Sequence, residues 1–182
     1  MTTQTFEGFL LTRNWRDTPA GIELEFWFST AQGPLCALVR GEQSVFFLLE
    51  SELRQAQDAL GDMPGLQIKP VQLRSFSMAP VVGMYFNQYR QARRAADELR
   101  ACGLDPLEAD INPADRYLME RFVAGSARLY GEPRRSNPYL LLENPIIKAS
   151  PYRPSLKVVS FDIETAMEGL QLYSIAVHGK SS

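Results

Sequence analysis

Asp162 and Glu164 stand two residues apart at the end of an apolar run, in the stretch KVVSFDIETA (Lys157–Ala166). On a β-strand, side chains at i and i+2 point to the same face, so the two carboxylates project together while Phe161 and Ile163 turn into the core. Hard cations such as Mg²⁺ take oxygen ligands. A phosphodiester hydrolase can hold two of them roughly 3.5–4 Å apart, one to activate water and one to stabilise the departing oxygen. An aspartate and a glutamate on one strand face are a natural first part of such a cage. Many solvent-facing strands carry acids at the same spacing, so Asp162-Ile163-Glu164 alone leaves a metal site and an ordinary surface strand both open.

Other signatures fail. SIAVHGKS (Ser174–Ser181) ends like a phosphate-binding loop, but Ser174 stands where the first glycine belongs and no helix follows. His178 is the single histidine, there is no G-x-S-x-G elbow for it to serve, and zinc deaminase and zincin patterns are absent, so it reads as a surface residue. Cys36 and Cys102 are isolated and suggest neither a zinc cage nor a disulfide framework.

Three groups of residues have types suited to nucleic acid. Arg90, Arg93, Arg94 and Arg100 share the polar side of a predicted helix and can reach phosphates. The simpler reading is a solvated face, with Arg93–Asp97 and Arg94–Glu98 as i,i+4 pairs. Phe46, Phe47, Tyr85 and Phe86 occupy places that stack bases in an RNA recognition motif. VVGMYF (Val81–Phe86) lacks that motif's leading basic residue and aromatic spacing, which favours core packing. EPRR (Glu132–Arg135), with Lys148, Arg153 and Lys157, adds positive charge that fits a phosphate backbone or a soluble loop equally well.

The elements that must position these residues start with a β-meander. Phe6–Arg13, Gly21–Thr30, Pro34–Val39 and Ser44–Leu49 are rich in Phe, Trp, Val and Leu, with turn formers in DTPAG (Asp17–Gly21) and AQG (Ala31–Gly33). Ile22, Leu24, Phe26 and Phe28 alternate with Glu23, Glu25 and Trp27, which predicts a strand buried on one face. From Ser44 the period changes. A helix capped by Ser51 runs to Leu60 before Gly61, with Leu53, Ala56, Gln57 and Leu60 at helical spacing. Strands are predicted over Leu66–Leu73 and Val81–Phe86. A second helix over Gln88–Ala101, with Tyr89, Ala92, Ala96 and Leu99 as its stripe, stops at Gly103. A last strand is predicted over Leu107–Ile111. This β-α-β-β-α-β order over residues 44–111 predicts a ferredoxin-like, two-layer α/β sandwich.

INPADRYLMERFVAG then predicts a helix with Asn112 at the cap, Pro113 at the first position, Leu118 and Phe122 on one face and Gly125 past the end. Strands follow at Ser126–Tyr130 and Tyr139–Leu142. Pro145, Pro151 and Pro154 forbid a continuous helix or central strand across Glu143–Pro154, which reads as an interdomain linker. Lys157–Glu164 and Leu170–Val177 form a hairpin around Met167–Gly169.

At 182 residues, with 45% hydrophobic and 22% charged residues, the chain can bury a sizeable core, and disorder is excluded by composition. A net charge of -2 gives no global attraction to a polyanion. No run approaches the ~20 apolar residues of a membrane span, and Met1–Glu7 lacks the pattern of a signal peptide. A reducing cytoplasm fits the two isolated cysteines.

Three separated stretches, LTRNWRDTPAG (Leu11–Gly21), EADINPADRYLMERF (Glu108–Phe122) and YRPSLKVVSFDIET (Tyr152–Thr165), resemble in this order the start of the bacterial DNA polymerase II family, within the family B polymerases. The resemblance implies an α+β protein. Residues 1–150 would be a polymerase N-terminal domain with a ferredoxin-like, RRM-like unit at about 44–111. Residues 151–182 would open an RNase H-like 3′→5′ exonuclease domain, with palm, fingers and thumb to follow. The family's first exonuclease motif, D-I-E, matches Asp162, Ile163 and Glu164, whose carboxylates would be catalytic and hold two Mg²⁺ ions. DNA would be the partner, as template–primer and as a single-stranded 3′ end, in replication and repair at the nucleoid. A sliding clamp would bind through regions this chain does not contain, and no membrane is implied.

The second and third exonuclease motifs and the palm aspartates are missing, so the chain looks like a fragment that alone neither degrades nor extends DNA, its metal positions unfilled. Its hairpin would expose apolar faces and strand edges, which predicts folding back on the N-terminal domain or self-association with another copy. A stand-alone nucleic-acid-binding module on the RRM-like sandwich and a non-catalytic scaffold are the alternative readings.

Overall fold

The structure, a computed structural model, describes residues 3–155, 157–169 and 171–181. It divides into two units, Met1–Tyr152 and Arg153–Ser182. The first is a sheet-dominated α+β assembly.

Strands β1 (Gln4–Thr18), β2 (Gly21–Thr30) and β3 (Gly33–Glu42) form the meander. Both turns use the same chemistry. Thr18 and Thr30 each accept a hydrogen bond from the amide two residues on, and each donates its hydroxyl to the carbonyl of a glycine three residues on. At Gly21, φ is +117° and the Gly41 Cα lies 3.0 Å from where a Cβ would stand, so only glycine fits. Ile22, Leu24, Phe26 and Phe28 line the buried face of β2 as their alternation requires. β1 runs five residues beyond the expected Arg13, past a bulge that leaves Leu11 exposed.

The chain then builds a second, smaller sheet from β4 (Ser44–Leu49), β5 (Leu66–Arg74) and β6 (Pro80–Phe86), with β6 antiparallel to both neighbours and between them. Helices α1 (Leu53–Leu60) and α2 (Tyr89–Ala101) contribute to one core with this sheet. There Phe46, Leu48, Met84 and Phe86 meet Ala92, Ala95, Ala96 and Leu99.

Two expectations are corrected in this region. Ser51 does not cap α1: the backbone leaves β4 and enters a 3-10 turn at Glu50–Glu52, so Ser51 lies inside that turn, and Glu52 precedes the helix without a side-chain cap. Gln57, expected on the apolar stripe, is exposed. The predicted strand Leu107–Ile111 shrinks to a single antiparallel bridge between Phe47 and Leu107 on the outer side of β4, because Glu108 takes φ +59° and turns the chain away.

The start of α2 depends on a distant residue. The Asp17 carboxylate at the end of β1 accepts from the Tyr89 amide at 2.7 Å and the Arg90 amide at 3.1 Å, satisfying two orphan donors of the helix. Trp15 meets Tyr89 edge-on at 4.6 Å between ring centroids. At the other end Gly103, at φ +79°, closes the helix, with Gly103 N–H on the Arg100 carbonyl and Leu104 N–H on the Leu99 carbonyl.

Helix α3 (Pro113–Met119) begins as expected, the Asn112 side-chain oxygen accepting from the Asp115 amide at 2.9 Å. It ends differently. Phe122 adopts φ +55° and closes the helix by the pattern seen at Gly103, its amide on the Met119 carbonyl and that of Val123 on Leu118. Gly125 is therefore not the terminator, and Phe122 is exposed while Leu118 is buried. Ala114, Tyr117 and Leu118 join the core above β1 and β2, Tyr117 stacking on Phe26 at 5.3 Å.

The chain next returns to the first sheet with β7 (Ser126–Gly131), β8 (Pro133–Ser136), β9 (Tyr139–Glu143) and β10 (Ile146–Ala149). The strand order is β10-β7-β1-β2-β3-β9-β8, with β3 and β9 parallel. The reading of Glu143–Pro154 as a linker is corrected here, since Ile146–Ala149 pairs with β7 as an edge strand between two prolines, where a missing amide costs no ladder bond.

The second unit is an antiparallel hairpin of β11 (Lys157–Thr165) and β12 (Leu172–Ser181). Both strands are longer at their loop or C-terminal ends than the alternation suggested. Leu170, expected to start the second strand, lies outside the described residues.

Candidate functional site

Asp162 and Glu164 occupy successive same-face positions on β11. The register runs without interruption through Asp162–Ala176, Ile163–Ile175 and Glu164–Ser174, and a bulge follows only after Glu164. Directly opposed residues of an antiparallel pair share a face. The face with the two acids therefore also carries Ser160, Ser174, Ala176 and His178, and the other carries Val159, Phe161, Ile163, Ile175 and Val177. Ala176 and Ser174 are small, so the acids stand clear of their cross-strand neighbours. Both acids are exposed, and Asp162 Oδ1 accepts from the Ile163 amide at 3.0 Å.

His178, read from sequence as a surface residue, is exposed and sits opposite Ser160. Its place on the acidic face follows from register, which needs both strands to be known. Ser174–Ser181 lies along β12, an extended conformation that cannot wrap a phosphate. Among the described residues no group of three or more His, Cys, Asp or Glu converges as a metal cluster. The chemistry of Asp162 and Glu164 is thus that of two hard oxygen donors on one rigid face, a part of a coordination shell.

The sandwich aromatics divide by face. Phe46 and Phe86 are core residues, their rings stacked at 5.3 Å. Phe47 and Tyr85 are half-buried on the opposite face, each under a cation: the Arg116 guanidinium is 5.5 Å from the Phe47 ring centroid and the Lys69 ammonium 4.5 Å from that of Tyr85.

The arginines are largely committed. Arg94 bonds Glu98 at 2.8 Å, while Asp97 pairs with Arg100 at 3.0 Å and not with Arg93, as the i,i+4 pattern had suggested. Arg134 of EPRR bonds Glu143 at 3.0 Å, and Glu143 also receives Arg40 at 2.8 Å. Arg40 and Arg16 both hold Glu23 on the outer face of the first sheet; burial pushes that carboxyl up, but these guanidinium bonds outweigh it and its pKa falls below the ordinary value. Arg13 bonds Asp115 and holds its carboxyl below the usual range, helped by Asn112 against some burial. Burial, with Glu25 and Glu23 nearby, pushes the Cys36 thiol up to about 11, which leaves it unreactive. The side chain of Lys157 lies outside the described ones. No helix among the described residues is long and apolar enough to cross a membrane.

Comparison with known proteins places this arrangement. Residues 8–43 match the family described as DNA polymerase II, N-terminal, and residues 44–104 the family described as DNA polymerase II, insertion domain. The chain belongs to the DNA polymerase II family. It is 39% identical over 173 residues to DNA polymerase II of Escherichia coli (strain K12), covering 94% of this chain and 22% of that protein. The chain thus spans about a fifth of that relative's length. Its fold is also similar, with a TM-score of 0.71 and 20% identity, to the family B DNA polymerase of the hyperthermophilic archaeon Pyrobaculum calidifontis, over 95% of this chain and 25% of that one. The junction between the two DNA polymerase II domains, at residues 43 and 44, falls where the chain passes from the first sheet into the small one.

Proposed function

We propose that this chain is the N-terminal part of a DNA-directed DNA polymerase with a 3′→5′ proofreading exonuclease, acting in replication and repair on a template–primer and on single-stranded 3′ ends. The observation that carries the reading is the 39% identity with DNA polymerase II along 94% of the chain, together with a D-I-E whose two acids share a strand face.

The small sheet supports a ferredoxin-like origin. Its strands lie in the order β4-β6-β5, and Leu107 bridges the outer side of β4, where a fourth strand would stand. The β11–β12 hairpin is then the opening of an RNase H-like exonuclease domain. Asp162 and Glu164 are the residues that would hold divalent metal. Their exposure, their common face and their oxygen donors fit such an ion, and two ions held there would supply a hydroxide nucleophile and stabilise the leaving 3′-oxygen. The role of this chain's residues is positional: the uninterrupted register keeps both carboxylates aimed the same way, while Phe161 and Ile163, exposed on the opposite face, are free to pack against further elements of such a domain.

Two carboxylates alone do not neutralise two divalent ions, so the 182-residue polypeptide by itself neither degrades nor extends DNA. A 3′-labelled single strand incubated with it and Mg²⁺ stays intact; degradation that disappears in Asp162→Ala would contradict this. The polymerase reading is tested by a chimera in which this chain replaces the matched region of the Escherichia coli relative. Primer extension by the chimera supports it, and a soluble chimera without extension counts against it.

A further inference from the structure

Between the loop that joins β5 to β6 and the open face of β4 lies a groove of about 580 Å³. Phe47, Leu49, Val81 and Leu107 give it an apolar floor. The loop forms one wall and presents Phe76 and Met78 to solvent. This exposure is built into the loop. The Ser75 amide bonds the Ala79 carbonyl at 2.9 Å, the Met78 amide bonds the Ser75 carbonyl at 2.9 Å, and the Ala79 amide bonds Ser75 Oγ at 3.2 Å, while Met78 sits at φ +63°. Arg74 locks the turn further by donating to the Met78 carbonyl at 2.9 Å. A loop whose backbone is already ordered loses less on binding than one that must first be ordered, which favours burial of its exposed apolar side chains.

The polar groups of the groove are acidic. Glu52, Asp105 and Glu108 line it with one guanidinium, Arg74, which is occupied as described, and a second, Arg116, stands 5.5 Å from the ring centroid of Phe47 in the floor. Glu108 is bonded by Arg116 at 2.9 Å. Glu52 lines the groove half-buried, and its Oε2 is enclosed with no hydrogen-bond partner among the described residues, so the charge of this carboxylate is left uncompensated and favours a cation brought into the groove. Apolar floor, ordered aromatic wall and an unmet carboxylate match an amphipathic segment that brings a large apolar side chain and a Lys or Arg. A nucleic acid strand would set its phosphates against the three carboxylates.

We infer that this groove is a docking site for a short basic-amphipathic peptide segment of a partner protein, with Phe76 as the apolar contact and Glu52 as the acceptor of its cationic group.

The test pans a displayed library of short random peptides on the full chain and measures the consensus peptide, fluorescein-labelled, by anisotropy. The expected consensus pairs a large apolar residue with a Lys or Arg. Its Kd rises about tenfold in Phe76→Ala, rises several-fold in Glu52→Gln, and rises with salt in the unaltered chain. Phe76 packs against nothing in the core, so its variant folds; Glu52→Gln keeps the side-chain volume. An acidic consensus, no consensus, or an affinity that neither substitution alters would overturn the assignment. So would an oligothymidylate that binds the chain and is lost in Phe76→Ala, which gives the groove to nucleic acid, or a dimer in sedimentation that Phe76→Ala dissociates, which gives it to a second copy.

Discussion

Strands β2 and β11 are written in the same alternating pattern and live in opposite surroundings. In β2 the apolar set, Ile22, Leu24, Phe26 and Phe28, is 0% exposed, whereas in β11 Val159, Phe161 and Ile163 are 60%, 69% and 49% exposed. The pattern of a strand says which side chains share a face; what covers that face is decided by elements elsewhere in the chain. For β2 the cover arrives from α3, nearly ninety residues later. The first unit is therefore held by long-range packing and the hairpin by its own ladder, and the two should respond differently to the same kind of change.

The largest difference should come from equal truncations on the two faces. Phe26→Ala removes a ring packed on Tyr117 in a closed core and should cost about 3–5 kcal/mol, seen as a large drop in the urea midpoint. Phe161→Ala, on an exposed strand, should stay within about 0.5 kcal/mol in the same measurement. Equal losses would mean the hairpin's apolar face is covered in solution.

Next in size is the long-range cap. Asp17→Ala strips two amides at the start of α2 of their acceptor and should destabilise by about 1 kcal/mol, whereas Asp17→Asn, which keeps one acceptor oxygen, should recover part of it. An unchanged midpoint in Asp17→Ala would show that water replaces the carboxylate and that the contact between the two sheets is not energetic.

The smallest effect is acid-dependent. Arg13 holds the Asp115 carboxyl below its unfolded value. A depressed carboxyl adds stability that is fully present above the unfolded pKa of about 3.9 and is lost as pH falls through the lower folded value. Asp115→Asn should therefore lower stability at neutral pH by no more than about 1 kcal/mol and flatten the acid limb of the curve. A variant that unfolds in acid along the same curve as the parent would remove this pair from the account.

Local chemistry was readable from sequence wherever the deciding residues are neighbours. The two turns of the meander, Gly103 after α2 and Asn112 before α3 fall in this class, and so does the shared face of Asp162 and Glu164, which needs only a strand. What escaped reading was decided at a distance or by unusual backbone. Asp17 capping α2 joins residues more than seventy positions apart. Glu108 and Phe122 take left-handed conformations that neither residue type advertises, ending an expected strand and an expected helix. Ile146–Ala149, flanked by prolines, forms a strand because β7 offers it an edge. For the candidate site, the acids were legible, but the neighbours that share their face, Ser174 and His178, depend on the register of β12.

The most direct measurement places Asp162→Ala with Glu164→Ala in the chimera with Escherichia coli DNA polymerase II and follows a 3′-labelled strand and a primed template side by side. If the two acids hold metal for proofreading, 3′ degradation falls at least 100-fold while primer extension persists. Degradation that continues at the parent rate while extension is intact would contradict the central claim.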